Sequence, residues 1–115
     1  MACRVGGGQR YRAAGMPHLS WSRKALLDVQ RVHRFLAVKD RAAANRAVAA
    51  IRRGVLPLSN FPNLGQAAPE LGPSYRRWIV RFGSHGYVLI YRIDQDALTL
   101  LSLHHQKELQ TPDGP

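Results

Sequence analysis

From residue 23 to 38 apolar side chains return at three- and four-residue intervals: Ala25, Val29, Val32 and Leu36, with Leu26 and Phe35 widening the stripe. The interval matches one helical turn, so the segment predicts an amphipathic helix with one buried face. Ser20 or Ser22 stands ahead of it, and a serine hydroxyl there accepts from the free amides of a first turn. Asp40 offers a second cap. After it Ala43, Ala47, Ile51 and Val55 repeat the helical pattern, and Arg41, Arg46, Arg52 and Arg53 fall largely outside it. The short connection "KD" predicts that the helices fold back as an antiparallel hairpin. Alanines on the shared face let the two approach closely. Gly54 weakens the second helix, and Pro57, which has no amide to donate, ends or kinks it.

Elsewhere the period changes. "PHLSWS", ahead of the helices, puts Leu19 and Trp21 on one side and predicts a short first strand. After the helices, "LSNFPNLGQAAPELGP" reads as a loop from its prolines and glycines, with Phe61 and Leu64 expected to pin it to the core. "YRRWIVRF" then alternates Trp78, Val80 and Phe82 against Arg77, Ile79 and Arg81. "GSHG" has the length and the glycines of a hairpin turn. "YVLIYRI" is apolar on both sides apart from Arg92, which predicts a central strand, and "DQDA" returns the chain into "LTLLSLHH". The expected order is β-α-α-β-β-β. It describes an α+β domain in which an N-terminal helix hairpin packs on one face of a small antiparallel sheet and leaves the other face to solvent.

The same pattern divides the chain. Residues 1–15 are rich in Gly and Arg without a period and are expected to be a disordered leader, residues 16–109 the folded domain, and residues 110–115 a flexible tail. Because the ordered pattern begins directly after Met16, translation is expected to start there; a basic nucleic-acid-binding arm is the alternative reading of the leader. Apolar residues make up 45% of the 115 and charged residues 21%, the balance of one globular domain with a modest core.

Charge changes the picture more. Seventeen Lys and Arg stand against seven Asp and Glu, giving +10, and only Lys24, Lys39 and Lys107 are lysines. An arginine-dominated surface suits acidic partners: nucleic acid, an enzyme that acts on it, or an acidic protein. Cys3 is the only cysteine, which excludes an internal disulfide and a cysteine zinc site and fits a reducing cytoplasm. No run reaches the roughly 18 apolar residues of a spanning helix, and the leader has no apolar region of a secretory signal. A soluble, cytoplasmic protein with no membrane partner is expected.

"GVLPLSNFPNLG", "YRRWIVRFGSHGYVLIYRI" and "LLSLHHQKE", taken in order, resemble the superfamily that contains the ParE and RelE toxins of type II toxin–antitoxin operons. The resemblance spans about residues 17–109 and is closest to the ParE-like branch. It rests on Arg81, Phe82, Gly83, Gly86, Tyr87, Tyr91 and Arg92, then on His105, Gln106, Lys107 and Glu108. Three departures stand out: His104 where the branch usually has arginine, "LQTP" in place of a Gly-Tyr after the acidic residue, and Pro57 within a helix that is normally continuous. The resemblance implies a toxin held by a cognate antitoxin, expected to be acidic and to cover the helix-hairpin groove and a strand edge. It implies no cofactor.

Two activities are compatible with that resemblance. ParE-type toxins poison DNA gyrase without catalysis of their own; RelE-type toxins cut messenger RNA in the ribosome. The second needs a base for the ribose 2′-hydroxyl, an acid for the leaving oxygen and cations for the phosphate. Its candidates here are Arg76, Arg81, Tyr91, His105 and His104, with Glu70 as a loop base. The first needs contacts only: Arg76, Arg77, Arg81, His105 and Lys107. Strand alternation places His105 with Leu103 and Leu101, and His104 with Ser102 and Leu100, so the two rings face opposite ways and form no paired acid–base or metal site. Tyr87 and Tyr91 fall in the central strand and are expected in the core with satisfied hydroxyls. Few lysines and opposed histidines favour the gyrase reading; messenger RNA cleavage is the alternative.

Overall fold

The computed structural model describes residues 18–106. The leader at 1–15, the start at Met16, Lys107, Glu108 and the tail at 110–115 lie outside the described residues. Strand β1 (His18–Trp21) leads into helix α1 (Arg23–Ala37), and helix α2 (Arg41–Val55) follows. A one-turn helix α3 (Pro57–Asn60), a 3-10 turn (Pro62–Leu64) and the two-residue strand β2 (Gln66–Ala67) occupy the stretch expected to be loop. Strands β3 (Tyr75–Phe82), β4 (His85–Asp94) and β5 (Ala97–His105) complete the chain.

Both helices start where a side chain supplies an acceptor. The Ser22 hydroxyl accepts from the Ala25 amide at 3.0 Å, and Asp40 accepts from the Ala43 amide at 3.1 Å. Caps of this kind contribute about 0.5–2 kcal/mol each. Pro57 ends α2 and opens α3, sitting at its first position, where the missing amide costs nothing. Gly54 does more than weaken its helix. A Cβ there would meet Val80 Cγ2 at 2.7 Å, so the bare backbone is what lets α2 lie close on β3. The Trp78 indole donates to the Gly54 carbonyl at 2.7 Å across the same contact.

The sheet has the order β1-β5-β4-β3-β2, with β4 at the centre as expected. Strands β2 to β5 are antiparallel, but β1 runs parallel to β5, pairing His18 with Ala97 and Trp21 with Leu100. The sheet is therefore mixed and not wholly antiparallel. The expected antiparallel sheet is corrected at β1, because alternation over four residues reveals a face but carries no direction. The β3–β4 turn is the expected one, with Phe82 opposite His85 and Gly83 at φ 62°, in the left-handed region.

One face of the sheet meets the helices. Val80, Tyr87, Leu89, Tyr91, Leu98, Leu100 and Leu103 form a core with Ala25, Val32, Ile51, Val55 and Leu58. The expected α1 stripe is corrected on its flanks: Leu26 and Phe35 are 47% and 77% exposed, and Asp28 turns inward instead. In α2, Ala44 is buried rather than Ala43. Phe61 and Leu64 do not pin the loop either, being 62% and 49% exposed; Leu58 and Ala68 are the buried anchors.

Candidate functional site

Pairing across β3 and β4 sorts the candidate residues between the faces. Arg76 lies opposite Tyr91 on the helix side, while Arg77, Ile79 and Arg81 lie opposite Ile90, Val88 and Gly86 on the outer side. Arg76 and Tyr91 are brought together. The Arg76 guanidinium donates to the Gly65 carbonyl at 2.7 Å, and the Tyr91 hydroxyl accepts from the Gly65 amide at 2.9 Å. That hydroxyl also donates to the Pro62 carbonyl at 2.6 Å. Tyr91 is fully buried, so both residues fasten the loop over residues 62–65 to the sheet. Burial pushes the Tyr91 hydroxyl above its ordinary value, against the opposing pull of the Gly65 amide and the Arg76 charge. It remains a neutral donor.

The histidines separate, though not with the neighbours expected. Ile90 pairs with Ser102 and Tyr91 with Leu100, which leaves Leu101 as an extra residue in a bulge. One extra residue shifts the alternation by one position. Leu98 and Leu100 before it, and Leu103 after it, therefore all reach the core. His105 pairs with Tyr87 on the helix side, its ring edge-on at a centroid distance of 5.3 Å, and His104 pairs with Val88 on the other side. Arg81 is on the outer face as well, apart from Arg76, Tyr91 and His105. Lys107 lies outside the described residues.

The outer face holds an open depression of about 540 Å³. Arg77, Trp78, Ile79 and Arg81 of β3 line it, together with Val88 of β4, Leu64, Gln66 and Gln106. Glu70, considered above as a loop base, forms an ion pair with Arg77. Among the described residues Arg81 has no ion pair, and it is exposed. Among the described residues no three His, Cys, Asp or Glu side chains converge as a metal site, and no helix is long and apolar enough to cross a membrane.

A second arrangement escaped the sequence. Beyond Trp21, β1 no longer covers the edge of β5, and side chains of α1 take over. The Leu103 amide donates to Asp28 Oδ2 at 2.9 Å, and Arg31 donates to the Leu103 carbonyl at 3.0 Å. The Ser22 hydroxyl donates to the Leu101 carbonyl at 3.1 Å. Burial raises the Asp28 carboxyl, but the Leu103 amide, the Lys24 ammonium at 2.9 Å and the Arg31 charge outweigh it and leave the group below its ordinary value. These side chains stand in for a missing strand. The spacing of Lys24, Asp28 and Arg31 on one helix was a visible signal of an ion-pair cluster; its strand partner was not.

A helix hairpin on one face of a five-stranded sheet, with arginines on the other, defines a small α+β domain. Its relatives say of what kind. The family model described as ParE toxin of type II toxin-antitoxin system, parDE, matches residues 19–110. Toxin RelE3 of Caulobacter vibrioides is 32% identical over 85 residues, which cover 74% of this chain and 89% of that protein. A solved structure titled as the chromosomal ParDE TA system from P. aeruginosa superposes with a TM-score of 0.64 at 24% identity, over 76% of this chain and 92% of the other. The chain belongs to the ParE toxin family of type II toxin–antitoxin systems. Membership of such a system implies an antitoxin partner.

Proposed function

We propose that this protein arrests DNA gyrase by binding it in the cytoplasm, and that a cognate acidic antitoxin neutralises it. The observation that carries the reading is the dispersal of the acid–base candidates. Tyr91 is buried with its hydroxyl engaged by Pro62 and Gly65, His105 packs edge-on against Tyr87, and His104 and Arg81 belong to the opposite face. General acid–base catalysis needs both groups within hydrogen-bond reach of one substrate. Contacts need only exposure, which Arg81 has. Arg76, Arg77, Arg81, His105 and Lys107 are the contacts proposed, and the net charge of +10 favours an acidic antitoxin segment laid along the helix hairpin and a strand edge.

Ribosome-dependent cleavage of messenger RNA is the second reading. The name of the Caulobacter relative and the meeting of Arg76 with Tyr91 favour it. One experiment separates them: purified protein is added to a gyrase supercoiling assay and, in parallel, to a translating extract whose message is followed. Inhibited supercoiling with intact message is expected, and His105→Ala should weaken inhibition only as far as it weakens binding or stability. Cleavage of ribosome-bound message, abolished by His105→Ala without loss of fold, would overturn the proposal.

A further inference from the structure

Helix α2 carries more positive charge than its folding uses. Its apolar side goes to the core through Ala44, Ala47, Ile51 and Val55. Every exposed side chain on it is Arg, Asn or Ala: Arg41, Ala42, Asn45, Arg46, Arg52 and Arg53. The helix holds no acidic residue, and the carboxylate at its start, Asp40, accepts from the Ala43 amide. Among the described residues none of the four arginines has a carboxylate partner, whereas Lys24, Arg31, Arg77 and Arg92 each have one. Arg52 and Arg53 lie in the last turn, where they complement the carbonyl end of the helix. Arg41 lies at the opposite end, where a positive charge is unfavourable. Arg46 has only alanines one turn away, at Ala42, Ala43, Ala49 and Ala50. Neither serves the helix that carries it.

We infer that this face of α2 binds the phosphodiester backbone of a nucleic-acid duplex without reading its sequence. Helical spacing puts Arg46 and Arg53 in one row about 10 Å long and Arg41 and Arg52 in a second about 16 Å long. Only Ala42, Asn45 and Ala49 lie between the rows, so short side chains let a backbone come close to both. Charge complementarity identifies the partner. A guanidinium presents forked donors that match phosphate oxygens, and neutralising phosphates releases their counterions. A protein partner fits this face less well. Protein interfaces are anchored by large side chains, which α1 exposes at Leu27 and Phe35 and α2 does not. Single-stranded nucleic acid is held by stacking on aromatic rings, and α2 has none. Asn45 is the one side chain on this face suited to a base edge, and its Oδ1 lies 2.8 Å from His33 Nε2. The contact is thus with phosphates alone. It goes beyond the gyrase reading and does not depend on it; with gyrase as target, the duplex at hand is the one that enzyme holds.

Arg46 separates this local contact from the attraction of net charge. Fluorescence anisotropy follows the full chain binding a short labelled DNA duplex of arbitrary sequence as salt is raised. Affinity is expected to fall linearly on logarithmic axes, and Arg46→Gln should lower the slope by about one. Arg46→Glu should weaken binding at low salt about tenfold, and its melting should match the wild type because the residue is exposed and unpaired. Arg23→Glu makes the same change in net charge at the exposed start of α1 and should weaken binding about twofold or less. An RNA duplex should bind through the same phosphates, and the tighter of the two duplexes names the source. Three results would overturn the inference: no duplex binding at low salt, equal losses in Arg46→Glu and Arg23→Glu, or displacement of the duplex by polyglutamate or oligouridylate at equal charge. Binding is read without gyrase, so uninhibited supercoiling alongside intact duplex binding marks failure of the gyrase reading alone.

Discussion

The two faces of the sheet are made by the same strands and follow different rules. On the helix side, Val80, Tyr87, Leu89, Tyr91, Leu98, Leu100 and Leu103 are at most 5% exposed. On the outer side, alternate positions of β3 carry Arg77, Ile79 and Arg81, of which Ile79 and Arg81 are exposed. The first face is constrained by volume and by the need of every buried polar group for a partner. The second, apart from the buried Val88, is constrained mainly by charge and accessibility. Substitutions should consequently report on stability from one face and on binding from the other, even at adjacent residues.

The widest gap is expected at Leu89, which is fully buried in the central strand. Leu89→Ala removes apolar volume that the surrounding core cannot refill, and urea denaturation should show a loss of about 2–5 kcal/mol. Tyr91→Phe keeps the ring but strands the Pro62 carbonyl and the Gly65 amide. It should cost about 1–3 kcal/mol and raise amide exchange in the loop over residues 62–65. Asp28→Asn keeps an acceptor for the Leu103 amide but loses the charge facing Lys24 and Arg31, a cost of about 1–2 kcal/mol at neutral pH after discounting for the exposure of Lys24. The effect has a pH signature. The folded carboxyl titrates below its ordinary value of 3.8, so the unfolded chain binds the proton first. The stabilisation is complete above that value and disappears as pH falls through the folded one; Asp28→Asn should flatten this part of the acid limb. The smallest change in stability is expected on the outer face, where Arg81→Ala should stay within about 0.5 kcal/mol of wild type. Under the proposed gyrase function, inhibition of supercoiling should nevertheless drop about tenfold or more, since a charge-assisted contact contributes about 1.5–3 kcal/mol where it is made.

Much of this division was legible in the residues. The periods of α1 and α2, the caps at Ser22 and Asp40, the turn at Gly83 and the central place of β4 all follow from local chemistry, because each is decided within a few residues. Tyr91 was readable as a core residue because its strand is apolar on both sides. What was not legible depends on distant partners. The bulge at Leu101 arises from pairing with β4, and without it Leu100 and Leu103 appear to face opposite ways. Asp28 reads as a solvated helix residue until the bare edge of β5 is placed beside it. The contact surface suffered most: Arg76, Arg77 and Arg81 look alike in sequence, and only the register assigns the first to a loop anchor and the others to an open face.

The parallel pairing of β1 with β5 also sets an order of events in time. Ser22 and Leu101, which meet beside that pairing, are separated by 79 residues, whereas the β3–β4 and β4–β5 pairs are neighbours along the chain. Closing so long a loop costs more entropy than closing a hairpin, and non-local strand pairs form slowly. A ribosome delivers β1 well before its partner β5, with both helices and strands β2 to β4 between them. Until Ala97–Leu100 has left the exit tunnel, the first strand has no edge to join, and the Asp28–Arg31 clamp has no Leu103 to hold. The helix hairpin can therefore form early in synthesis, while the complete sheet waits for the last strand. A growing chain of this toxin cannot present its finished outer face until β5 has emerged.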